Sequence, residues 1–313
     1  ASPVGLKIAM DEVIRVENLV KKYNSLTAVN SVSFSVRRGE VFGLLGENGA
    51  GKTTTLEIIE GLRRPNGGRV SILDHDVIHD LEAIKPRIGV QLQSSAYFNF
   101  LTLHEILTLF GGFYPQRLKP DELLDMVNLQ SKKKTFVNKL SGGQKQRFSI
   151  VASLVNDPEI VFLDEPTTGL DPLARRNLWK LIEKIKLKGK TIVLTTHYMD
   201  EAEILCDRVA IMDEGKIIAL DETHKLVERT KFPFKITFFS KILGNGILEQ
   251  LKRLGPTSTV AGKEKHFEIR LKSQSQVNEA LPLIHRLQPE SLAIRQATLE
   301  DLFIEITGRN IEE

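Results

Sequence analysis

The chain has 313 residues, 41% hydrophobic and 27% charged, with 43 Lys+Arg against 40 Asp+Glu and a single cysteine. These values are ordinary for a soluble globular protein and leave room for one large domain and a smaller one. No stretch approaches the roughly 18 uninterrupted apolar residues of a membrane span, so work at a membrane would need another chain to cross it.

The larger part of the chain is electrically neutral. From Arg229 onward there are 13 Lys+Arg against 10 Asp+Glu, which leaves 30 against 30 before it. That balance argues against a nucleic-acid partner, and Lys132 to Lys134 reads as a solvated turn. Cys206 cannot form an internal disulfide and reads as a small buried side chain in a reducing compartment.

The N-terminus lacks the apolar core of a signal peptide. Residues 1–9 read as an artificial extension ahead of a native start at Met10. Val32, Phe34 and Val36 then alternate with serines, the pattern of a half-buried strand. A turn at Arg37-Arg38-Gly39 leads into the buried run Glu40 to Leu45, and similar runs recur at Ile160 to Leu163 and Thr191 to Leu194. Buried strands alternating with helix-length segments predict an α/β sheet with a mostly parallel centre.

Between about residues 94 and 155 helical spacing replaces the strand pattern. Leu103, Ile106, Leu107 and Phe110 share one helix face, which predicts a helical subdomain set into a domain spanning 10–228. The tail, 229–313, predicts a small α+β domain. Its order β-α-β-β-α-β is the split βαβ, ferredoxin-like arrangement, followed by a last helix with Leu299, Leu302, Phe303 and Ile306.

Gly46-Glu47-Asn48-Gly49-Ala50-Gly51-Lys52-Thr53 fits the phosphate-binding loop, with a buried strand before it and a helix beginning at Thr54. Its glycines let backbone N–H groups converge on phosphates at the positive end of a helix dipole. Lys52 would meet the β- and γ-phosphates, and Thr53 would hold Mg²⁺. Ile160 to Glu165 is a strand ending in two acids, at the end where open α/β sheets bind ligands. Alternation along a strand gives them separate tasks: Asp164 for Mg²⁺, Glu165 for orienting or deprotonating water. Leu140-Ser141-Gly142-Gly143-Gln144 supplies a second anion site, with Ser141 as helix N-cap and the helix running from Gln144 through Val155.

From about Val13 to Leu220 this set resembles the nucleotide-binding domains of ABC transporters, a P-loop NTPase fold. The resemblance implies an ATPase that uses ATP and Mg²⁺. Gly46 to Thr54 is similar to the Walker A loop, Ile160 to Glu165 to Walker B with its catalytic glutamate, and Leu140 to Gln144 to the signature motif. Gln93 stands where the family has its Q-loop glutamine, which senses Mg²⁺, water and the transmembrane partner. His197 resembles the switch histidine on the γ-phosphate, Gly169-Leu170-Asp171 the D-loop, and Tyr23 the ring that stacks on adenine. The family pairs head to tail, so a homodimer is implied, with Ser141 of one copy closing on ATP held by the other.

Ala297 to Arg309 is similar to the ending of ATPase subunits of ABC-2-type exporters, including drug- and antibiotic-resistance pumps. This implies small-molecule export through a separate permease, with the chain at the cytoplasmic face of the membrane. Residues 94 to 105 are the candidate permease contact. The main alternative is a soluble ABC ATPase in an assembly role such as iron–sulfur scaffolding, which leaves the tail unexplained. Chromosome-maintenance relatives need coiled-coil heptads that are missing here. A GTPase reading fails because Asn138-Lys139 runs into Leu140-Ser141 instead of completing Asn-Lys-x-Asp.

Overall fold

The computed structural model describes residues 11–92, 97, 98, 100–241, 245–259 and 265–308. The chain divides into two compact units between Glu222 and Thr223, a few residues before the boundary expected from composition.

The first unit holds two sheets. One is antiparallel, in the order β2-β1-β4-β5, from β1 (Glu12–Tyr23), β2 (Leu26–Arg37), β4 (Gly67–Ile72) and β5 (His75–Asp76). The other has six strands in the order β10-β9-β3-β8-β7-β6. Its members are β3 (Val41–Leu45), β6 (Ile88–Gln91), β7 (Ile160–Asp164), β8 (Thr191–Thr196), β9 (Arg208–Asp213) and β10 (Lys216–Glu222). Strands β9, β3, β8, β7 and β6 run parallel, and β10 returns antiparallel on β9. The parallel strands are buried almost throughout, as expected of a parallel sheet covered on both faces.

Phe34 of β2 stacks on Phe42 of β3, ring centroids 5.1 Å apart, and joins the two sheets in one core with Val16, Leu56, Ile59 and Phe162. Each fully buried side chain of this size contributes about 1.5–3 kcal/mol. The register sets the site: Leu45 pairs with Thr196, and Asp164 with Thr195. The ends of β3, β7 and β8 therefore finish at one edge.

Helices α1 (Lys52–Ile59) and α2 (Leu81–Ile84) follow β3 and β5. The helical segment comprises α3 (Leu103–Gly111), α4 (Pro120–Met126) and α5 (Gly142–Ala152). Thr102 and Glu105 close a capping box that starts α3, and α3 buries Leu103, Ile106 and Leu107, as the spacing predicts. Helix α5 starts at Gly142, two residues before the expected Gln144, and stops at Ala152, three residues short of the expected Val155. Helices α6 (Pro172–Leu187) and α7 (Met199–Leu205) complete the unit. Cys206 is buried, its Sγ 2.7 Å from where a Cβ on Gly43 would sit, so the thiol fills space that the glycine leaves.

The second unit runs α8 (Thr223–Glu228), β11 (Phe234–Phe239), α9 (Asn245–Leu254), β12 (Thr257–Thr259), β13 (His266–Leu271), α10 (Gln274–His285), β14 (Ser291–Gln296) and α11 (Leu299–Thr307). Its antiparallel sheet has the order β12-β13-β11-β14. Ile236, Phe238, Ile269 and Leu271 alternate inward and form a core with Val277, Ala280 and Ile284 of α10. Among the described residues no helix is long and apolar enough to cross a membrane.

Candidate nucleotide site

The loop after β3 needs glycine at two points. A Cβ on Gly46 would lie 2.3 Å from Met212 O. Gly51 has φ +97° and would meet Ala28 O at 2.3 Å, so it combines left-handed backbone with close approach. Asn48 and Gly49 form the exposed tip, Glu47 is half-buried and Ala50 is buried.

Helix α1 begins at Lys52, earlier than Thr54. The lysine folds back so that Nζ donates to Gly46 O at 2.8 Å and Glu47 O at 3.0 Å. Its side chain is 3% exposed, and Nζ lies 3.6 Å from Glu165 Oε1. Burial lowers the Lys52 pKa, and the Glu165 charge opposes that fall. A buried ammonium at the mouth of a loop that also offers backbone N–H groups is chemistry suited to a polyphosphate.

Thr53 Oγ1 donates to Asp164 Oδ1 at 3.2 Å. The Thr195 hydroxyl also donates to Asp164 Oδ1 and accepts from Glu165 N at 2.9 Å, so one side chain orders both acids. Burial raises the Asp164 pKa against these hydrogen bonds, and the Glu165 charge adds to the rise. A buried carboxylate oxygen on which two hydroxyls converge fits a site completed by a cation. A hydroxyl beside one carboxylate is a hard oxygen set that Mg²⁺ accepts together with phosphate oxygens and water. No cluster of three or more His, Cys, Asp or Glu that could hold a metal occurs among the described residues.

Glu165 differs from the expected alternation. Strand β7 ends at Asp164, and Glu165 turns away with φ +45°. Such backbone in a non-glycine residue is costly and persists only where its surroundings enforce it. The turn brings Glu165 Oε1 within 3.6 Å of Lys52 Nζ and 3.4 Å of His197 Nδ1, while Oε2 accepts from Thr168 Oγ1 at 3.1 Å. His197 Nδ1 is buried without a hydrogen-bond partner. Thr195 thus touches both residues, while the two carboxylates meet different side chains, Thr53 for Asp164 and Thr168 for Glu165.

The signature segment stands apart from this cluster, on α5. Ser141 caps the helix: its Oγ accepts from Gln144 N at 3.4 Å, and Gln144 Oε1 accepts from Ser141 N at 3.1 Å. Lys132 also donates to Gln144 Oε1 at 3.0 Å, so the lysine run is tied to the capping box and is not merely a solvated turn. Ser141 and Gly142 are exposed, and Gly143 lies over Ala174 of α6. Asp171 caps α6, accepting from Leu173 N and Ala174 N at 3.0 and 2.9 Å. Tyr23 ends β1, half-buried, with Lys21 Nζ and Arg63 Cζ 5.2 and 5.8 Å from its ring centre. Thr54 is half-buried in the first turn of α1. Gln93 lies outside the described residues, as do residues 94–96 and 99 of the candidate permease contact.

Residues 29–168 match the ABC transporter family. Over 99% of its length the chain is 34% identical to a Nod factor export ATP-binding protein I of Ralstonia nicotianae, covering 98% of that protein. The chain belongs to the ABC transporter family of ATP-binding subunits. It is also 32% identical to the linearmycin resistance ATP-binding protein LnrL of Bacillus subtilis, over 96% of this chain and all of that one. A fluoroquinolones export ATP-binding protein of Mycobacterium tuberculosis shares 36% identity over 96% of this chain and 95% of its own. Among solved structures, an ATP-binding subunit of an ABC transporter superposes with TM-score 0.63 at 32% identity, covering 69% of this chain and 92% of that one. A dimeric ATP-binding cassette in a post-hydrolysis state with ADP and Pi superposes with TM-score 0.61 at 27% identity, covering 67% and 98%.

As an ABC cassette the chain binds and hydrolyses ATP. Sequence reading missed the parts of the cassette that act through register. Thr195 and Thr168 look like ordinary strand and turn residues, yet they set both carboxylates. The only signal was their place beside the motifs, Thr195 two residues before His197 and Thr168 three after Glu165.

Proposed function

We propose that this chain is the ATP-hydrolysing motor of a small-molecule exporter, docked on the cytoplasmic face of a membrane beneath a separate permease. The observation that carries this reading is the cluster of Lys52, Thr53, Asp164, Glu165 and His197 at one sheet edge, in a chain similar along nearly its whole length to export subunits.

In this reading the loop amides from Gly46 to Thr54 and Lys52 bind the phosphates, and Tyr23 stacks on the base. Thr53 and Asp164, with Gln93, hold Mg²⁺, which supplies positive charge beside the phosphates when bound. Glu165 accepts a proton from the attacking water, oriented by Thr168 and the nearby His197. His197 Nδ1 is available because no hydrogen bond occupies it. The exposed start of α5, capped by Ser141 with Gly142, Gly143 and Gln144, lends its donors to ATP on a second copy, and Asp171 lies at that junction. Such donors act where charge develops on the γ-phosphate and water is excluded. The unit from Thr223 onward is an accessory domain, and the exported small molecule is met by the permease.

Glu165→Gln should bind ATP and stall before hydrolysis, trapping a dimer. Analytical ultracentrifugation with saturating ATP and Mg²⁺ should show twice the monomer mass, reverting when ATP is removed. A strictly monomeric, ATP-loaded protein would refute the shared site.

A further inference from the structure

Two buried side-chain nitrogens without a hydrogen-bond partner, Arg175 Nε and His197 Nδ1, lie beside the Tyr198 ring. Native proteins satisfy most such atoms, and exceptions call for an explanation. Glu201 stands in the first turn of α7 and is 0% exposed. Its Oε1 accepts from Trp179 Nε1 of α6 at 3.1 Å. Burial raises the pKa of this carboxylate, while the hydroxyls of Thr196 and Thr167, the Trp179 N–H and the charge of Arg175 oppose the rise. The guanidinium of Arg175 stacks 4.2 Å over the Tyr198 ring, and that ring centre lies 4.1 Å from the centre of His197.

Each partner of Glu201 is a short step from a residue assigned above. Thr167 precedes Thr168, which holds Glu165. Thr196 precedes His197 and ends β8. Trp179 and Arg175 belong to α6, whose N-cap is Asp171. We propose that Glu201 is a positioning residue: its carboxylate ties the turn after Glu165, the strand end before His197 and helix α6 into one unit, and so sets where Glu165, His197 and Asp171 stand for hydrolysis. This rests on the roles given above to Glu165 and His197.

The test separates kcat from KM in full-length protein, with kcat counted per ATP-binding site. Glu201→Leu removes the acceptor and should lower kcat about tenfold while KM for ATP stays within about twofold. Glu201→Gln keeps the shape and one acceptor and should recover kcat to within about threefold of wild type. A Glu201→Leu protein that binds ATP normally and turns over at the wild-type kcat overturns the proposal. If that variant does not fold, Thr167→Val and Trp179→Phe decide: each should lower kcat about threefold with KM unchanged, and wild-type kcat in both overturns it. Glu165→Gln, run in parallel, keeps the two readings apart, since fast turnover there would refute the site assignment and not the role of Glu201.

Discussion

Strand β7 carries acids at both ends, and the ends behave oppositely. At its start Glu159 lies between Arg87 and Arg38, 2.6 and 2.9 Å from their nitrogens, and these partners hold its pKa below the usual carboxylate value. At its finish Asp164 is buried, its pKa is pushed up, and Glu165 bends the backbone into a left-handed turn. One end gains from its charge, and the other bears a cost for it. A sheet edge that accumulates costly charge is arranged for something that arrives later, whereas the opposite edge is arranged for the fold itself.

The sharpest way to break this contrast is at Glu165. Glu165→Gln should slow ATP turnover at least about a hundredfold while ATP binding persists, as loss of a general base does. Phosphate release near the wild-type rate would show that the costly end has no chemical task. A smaller effect is expected where donors are lent to another copy. Ser141→Ala removes one hydrogen bond to a charged group, about 1.5 kcal/mol, and should slow turnover about tenfold with ATP affinity of the monomer unchanged. The same change removes a helix cap, so a fall in stability of about 1 kcal/mol should accompany it.

The smallest effect belongs to the other end of the strand. Glu159 is 39% exposed, so its ion pairs are screened and Glu159→Gln should cost no more than about 1 kcal/mol, with turnover intact. Its depressed pKa makes this stabilisation present above the unfolded value of 4.5 and lost as pH falls through the lower folded value. Wild type and variant should therefore converge in denaturant titrations below pH 4.5. A gap that persists in acid would mean that Glu159 contributes through packing.

Local chemistry was readable in the sequence because it is written in adjacent residues. The strand-loop-helix of Gly46 to Thr54 and the apolar run before Asp164 need only a few neighbours to be recognised. The capping box was half legible: Ser141 announces an N-cap, but the return bond from Gln144 and the reach of Lys132 across the turn appear only in three dimensions. What stayed hidden depends on which strands lie side by side. Thr195 serves Asp164 and Glu165 because β7 and β8 are parallel neighbours in one particular register. The left-handed backbone of Glu165 was also out of reach, since no glycine marks that turn. Its surroundings, not its identity, impose the conformation.

Trp179 is the sole tryptophan of the chain, and its indole N–H bonds to the buried Glu201 where α6 meets α7. The protein thus carries a built-in, label-free fluorophore at the junction between two elements that flank the site. Ultraviolet emission from the unmodified chain can follow that junction in real time, without a dye or an engineered probe.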